Sequence, residues 1–111
     1  MTSWTAVCAM DDLLPEVGVP AMVDGVQVAL FRLADDRVLA VQQRDPFSGA
    51  NVLSRGIIGS RGDTATVTSP MYKQVWDLAT GECLDPVGKE PVDLRTVAVE
   101  VSDGQVRVSL G

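Results

Sequence analysis

The sequence predicts an all-β domain, an antiparallel sandwich or barrel with a small inserted loop subdomain and little helix. Apolar residues alternate with period two along most of the chain, which places successive side chains on opposite faces of a strand. Gly, Asp and Pro interrupt the alternation at short intervals, as tight turns require. No stretch carries the three-to-four-residue apolar spacing of an amphipathic helix of normal length.

In chain order, the segment 10–16 sets Asp11 and Asp12 ahead of Leu13 and Leu14, enough for one helical turn before Pro15 ends it. Residues 19–23 and 27–32 flank Asp24-Gly25, whose glycine tolerates positive φ, and so read as a hairpin. A strand over 38–42 follows the polar turn 34–37. Between 43 and 84 the alternation breaks, and two loops rich in Pro, Gly and Ser, 45–49 and 69–73, bracket a stretch with Gly56, Gly59 and Gly62. This is the expected subdomain. Val97, Val99 and Val101 then alternate with polar or small residues, and Ser102-Asp103-Gly104 turns the chain into Val106, Val108 and Leu110.

At 111 residues the chain has the size of one domain, 1–111, and is too short for two cores. Folding should bury roughly 60–70% of the unfolded surface, so neither metal nor disulfide is needed as a staple. The net charge of −6 repels phosphate backbones and anionic lipid, which makes nucleic acid and membrane poor partners. No apolar run is long enough to cross a bilayer, and residues 1–10 have neither the basic nor the apolar region of a secretion signal, so a cytoplasmic location is expected. Cys8 and Cys83 form no paired spacing and read as free thiols packed like small apolar residues. The chain has no histidine, which removes imidazole as base, switch or ligand.

Several short motifs are accounted for by turn chemistry. Arg61-Gly62-Asp63 sits in a Gly-rich turn, and Asp11-Asp12 and Asp35-Asp36 lack the oxygen-rich loop that a hard cation needs. Neither a phosphate-binding Gly-Lys-Ser/Thr loop nor a Gly-x-Gly-x-x-Gly ahead of a helix is present, so the chain should bind neither nucleotide nor flavin.

A Rieske centre needs loops of the form Cys-x-His and Cys-x-x-His, two thiolates for one iron and two imidazoles for the other. Gln43-Arg44-Asp45-Pro46-Phe47-Ser48-Gly49-Ala50 resembles the first loop, with Asp45 at the Cys position and Phe47 at the His position. Val67-Thr68-Ser69-Pro70-Met71-Tyr72-Lys73-Gln74 resembles the second, with Ser69 for Cys and Tyr72 for His. Every cluster ligand is replaced, although the stretch 48–68 between the loops is somewhat long for that frame. Phe47 and Tyr72 are expected to bring their rings into the volume that a cluster would occupy.

From Trp4 to Leu110 the chain resembles one Rieske-like family, the small subunits of assimilatory NAD(P)H nitrite reductase. The resemblance rests on Asp45-Pro46-Phe47, Val52-Leu53-Ser54-Arg55-Gly56, and Ser69-Pro70 followed by Lys73-Gln74. It implies no redox centre, metal or catalytic residue on this chain. It places siroheme, an iron–sulfur cluster, FAD and the NAD(P)H site on a large partner subunit that reduces nitrite to ammonium. A freestanding interaction or regulatory module serving another oxidoreductase is the alternative; a working ferredoxin conflicts with the missing ligands. The maintained loops, with Pro46 and Pro70, suggest a shape held for contact, with Arg55 and Lys73 placed to select an acidic patch on the large subunit.

Overall fold

In the computed structural model, which describes residues 3–110, period-two segments and tight turns give ten strands among the described residues. Met1, Thr2 and Gly111, the outermost residues of the expected 1–111 domain, lie outside that range. The strands are β1 (Thr5–Ala9), β2 (Gly18–Val23), β3 (Val26–Arg32), β4 (Val38–Gln42), β5 (Ile57–Arg61), β6 (Thr64–Thr68), β7 (Val75–Asp77), β8 (Cys83–Asp85), β9 (Thr96–Ser102) and β10 (Gln105–Ser109). They form an antiparallel six-stranded sheet in the order β1-β10-β9-β4-β3-β2, whose two edge strands approach each other as a nearly closed barrel. A second, four-stranded antiparallel sheet runs β5-β6-β7-β8.

The two hairpins with Asp-Gly turns form as the sequence predicts. Asp24 (φ 49°) and Gly25 (φ 79°) join β2 to β3, and Asp103 (φ 53°) and Gly104 (φ 74°) join β9 to β10. Two consecutive positive φ values match the right-handed strand twist, which is why Asp-Gly stands at both turns. The expected helical turn is a 3₁₀ turn over Met10–Asp12, where the Asp12 carboxylate accepts the Ala9 N–H at 3.0 Å. Asp36 pairs with Arg32 at 2.9 Å and Asp35 with Arg37 at 2.9 Å, so these acidic turns are tied into local contacts.

Two apolar clusters hold the molecule. Leu13, Val23, Val28, Leu30, Val38, Ala40, Val97, Val106 and Val108 fill the barrel. Ala29, Phe31, Leu33, Val41, Leu53, Val67, Trp76, Leu78 and Leu94 pack between its outer face and the second sheet. The alternation suggested strands buried on one side, yet Val28 to Phe31 are all buried because even positions of β3 face one cluster and odd positions the other. The second sheet supplies the extra cover. Its β5–β6 hairpin, with Gly62 at φ 62° in the turn, spans much of the long stretch between the two loops.

Candidate functional site

The two loops meet at one end of the second sheet. Loop 1 leaves β4 and reaches a 3₁₀ turn over Leu53–Arg55, and loop 2 joins β6 to β7. The 3₁₀ turn is clamped to the end of β4 by Gln43, whose Nε2 donates to Ser54 Oγ at 2.8 Å and whose Oε1 accepts the Ser54 N–H at 2.8 Å. Both side chains are buried and mutually satisfied, as buried amides must be. Gly56 then lets the chain pass against loop 2, since a Cβ there would stand 2.7 Å from the Thr68 carbonyl oxygen.

Asp45 and Ser69, the residues at the two Cys positions, touch each other. The Ser69 hydroxyl donates to Asp45 Oδ2 at 2.5 Å, and both residues are 0% exposed. Asp45 Oδ1 also accepts the backbone N–H of Phe47 at 2.8 Å and of Ser48 at 3.3 Å, while Ser69 Oγ accepts the Met71 N–H at 3.1 Å. Each loop is thus folded around its own polar side chain, and the two side chains close the gap. A carboxylate with three donors is satisfied without a counter-charge.

The residues at the His positions separate. Phe47 is half-buried and packs on the fully buried Trp76, with ring centroids 5.9 Å apart and planes tilted by 38°. The Trp76 indole N–H donates to the Val92 carbonyl at 2.8 Å. Tyr72 does not enter this volume. It is 53% exposed, beside Lys73, which takes a left-handed backbone at φ 66°. The expectation of two inward rings therefore fails at Tyr72, and the aromatic partner of Phe47 is Trp76.

Arg55 and Lys73 are exposed on this tip, and Pro46 and Pro70 are half-buried in its two loops. Neither cysteine approaches it as a ligand. Cys8 packs on the barrel cluster and Cys83 on the second cluster as free thiols, and burial pushes both thiols up. Gln43 and Gln74, which stand in the two loop motifs, are both buried, a placement the motifs alone do not show. Gln43 continues the inward parity of Leu39 and Val41, and Gln74 shares that of Trp76, so a polar residue in a buried register was the available signal. Gln74 is fully buried, and neither its Oε1 nor its Nε2 has a hydrogen-bond partner.

Two proline-bearing loops meeting at the end of a small antiparallel sheet, itself seated on a nearly closed barrel, define a Rieske-like domain. Residues 3–109 match the family described as Rieske-like [2Fe-2S] domain. The chain is 38% identical over 109 residues to the nitrite reductase (NADH) small subunit of Escherichia coli K12, covering 97% of this chain and 98% of that protein. A crystal structure of an NADH-dependent nitrite reductase small subunit from Mycobacterium tuberculosis superposes with a TM-score of 0.91 at 46% identity, covering 100% of this chain and 97% of the other. In Klebsiella oxytoca, a protein described as the nitrite reductase [NAD(P)H] large subunit is 40% identical over 105 residues, which is 95% of this chain and 11% of that protein. The chain belongs to the Rieske-like family and, within it, to the nitrite reductase small subunits.

The cluster that names the wider family does not fit these residues. The loops offer a carboxylate and a hydroxyl already bonded to each other, a phenyl ring turned onto Trp76 and a phenol turned outward. Two thiolates and two imidazoles are what the cluster takes. Among the described residues no group of three or more His, Cys, Asp or Glu is gathered for a metal ion. No helix among them is long and apolar enough to cross a membrane.

Proposed function

We propose that the chain is a non-catalytic small subunit of a cytoplasmic NAD(P)H nitrite reductase. It docks through the tip formed by the two loops onto the large subunit, which carries siroheme, an iron–sulfur cluster, FAD and the NAD(P)H site. The reaction is nitrite reduction to ammonium in nitrate and nitrite assimilation. The observation that carries this reading is the Asp45–Ser69 bond: the paired loops keep a defined shape, although what joins them is a polar latch that offers no electron carrier. Preorganised shape is what a docking surface needs, because it lowers the ordering cost of association. The Klebsiella relative supports the pairing with a large subunit, since a segment similar to this chain lies inside a polypeptide of that description.

The test is to express the large subunit with and without this chain and follow nitrite-dependent oxidation of NAD(P)H. The reading predicts that the two polypeptides co-purify and that the chain raises or is required for turnover. Full turnover by the large subunit alone, with no complex, would contradict it.

A further inference from the structure

Charge is segregated along this chain. Residues 43–76 hold four of its nine basic residues and two of its fifteen acidic ones, a net of +2, which leaves −8 on the remainder of a chain whose total is −6. At the tip the imbalance is complete. Arg44, Arg55 and Lys73 are exposed there, while the acidic residue of these loops, Asp45, is buried and bonded to Ser69. The rest of the surface therefore repels an acidic partner that the tip attracts.

The same end exposes large apolar side chains. Tyr72 is 53% exposed, Met71 46% and Ile57 65%. Ile57 pairs in register with Thr68, the residue before Ser69, and Met71 is fixed by its N–H to Ser69 Oγ, so all three stand around the latch. Aromatic residues and Met are enriched in the buried centres of interfaces, and charged residues belong to the rim. Leaving a tyrosine and a methionine in water costs hydrophobic free energy that docking would recover.

We infer that the tip presents Tyr72, Met71 and Ile57 as an apolar knob alongside the exposed cations Arg44, Arg55 and Lys73, and fits an apolar recess with an acidic rim on the partner protein. The inference rests on the docking reading above and adds the chemistry of the surface that receives it. The knob anchors the complex, and the cations orient the encounter, because the acidic body of the chain turns away from the same rim.

Affinity and association rate for the purified large subunit are measured at low and moderate salt for the full chain, for Met71→Ala with Tyr72→Ala, and for Arg44→Glu with Arg55→Glu and Lys73→Glu. Circular dichroism melts check that each variant remains folded. The alanine pair should weaken binding by about tenfold or more with an unchanged salt dependence, as removal of central anchors does. The charge reversal should slow association by roughly tenfold at low salt and flatten its salt dependence. If the alanine pair binds like the parent while the reversal weakens binding, the apolar anchor is overturned and tip docking stands. If the alanine pair weakens binding and the reversal leaves the salt dependence intact, the acidic rim is overturned and tip docking again stands. If neither set changes binding, this inference and the docking reading fall together.

Discussion

The Ser69 hydroxyl donates to the Asp45 carboxylate at 2.5 Å between two fully buried side chains that are 24 residues apart in the chain. In the Rieske frame these are the positions from which two thiolates grip one iron. Here a single hydrogen bond joins the loops directly.

The two halves of that latch are unequal. Asp45→Ala strips the acceptor from Ser69 Oγ and from the N–H groups of Phe47 and Ser48, whereas Ser69→Ala removes one bond to Asp45 and one to Met71. With a cost of about 1–3 kcal/mol for a buried group left unpaired, Asp45→Ala should destabilise by roughly 3 kcal/mol and Ser69→Ala by about half as much. Urea unfolding of both variants checks the order. Equal losses would mean that the turn around Asp45 does not depend on its carboxylate.

The two aromatic residues at the former His positions should behave oppositely. Phe47→Ala breaks a half-buried ring contact with Trp76 and should cost about 2 kcal/mol, below the range for a fully enclosed Phe. Tyr72→Ala, at an exposed site, should change the melting free energy by no more than about 0.5 kcal/mol. A large thermal shift from Tyr72→Ala would place that ring inside the fold after all.

Two buried glutamines give the opposite pair of expectations. Gln43→Met removes both bonds to Ser54 and should destabilise by about 2 kcal/mol. Gln74→Met keeps the shape and removes an amide that has no hydrogen-bond partner, so it should be neutral or raise the melting temperature. A marked drop for Gln74→Met would show that its amide makes a bond in solution.

Anaerobic reconstitution with ferrous iron and sulfide should load no stoichiometric iron and give no charge-transfer absorption, because the latch and the Phe47–Trp76 contact stand where thiolates and imidazoles are needed. Stoichiometric iron with visible absorption would overturn that account.

The hairpins and the latch residues were legible for different reasons. β2–β3 and β9–β10 declare themselves because period-two burial and Asp-Gly turns are local properties of the chain. Asp45 and Ser69 are legible because loop motifs fix which residues stand at the ligand positions, although their mutual bond is a tertiary fact that no spacing shows. The β5–β6 hairpin was harder to read, since β5 lies at an exposed sheet edge and Gly59, Ser60 and Arg61 do not alternate with apolar residues. The direction of Tyr72 is not legible in the sequence, because it depends on the loop's backbone, including the left-handed Lys73, and on Trp76 already packing against Phe47.

The central claim is that this tip is the docking surface, and hydrogen exchange of the chain free and in complex with the large subunit tests it most directly. The account predicts that amides in 45–49, 55–57 and 69–73 become protected on binding, while those around the Asp103-Gly104 turn of the β9–β10 hairpin, at the opposite end of β9 from its Val41–Thr96 pairing, exchange as in the free chain. Protection confined to β9–β10, with the tip exchanging at its free rate, would contradict it.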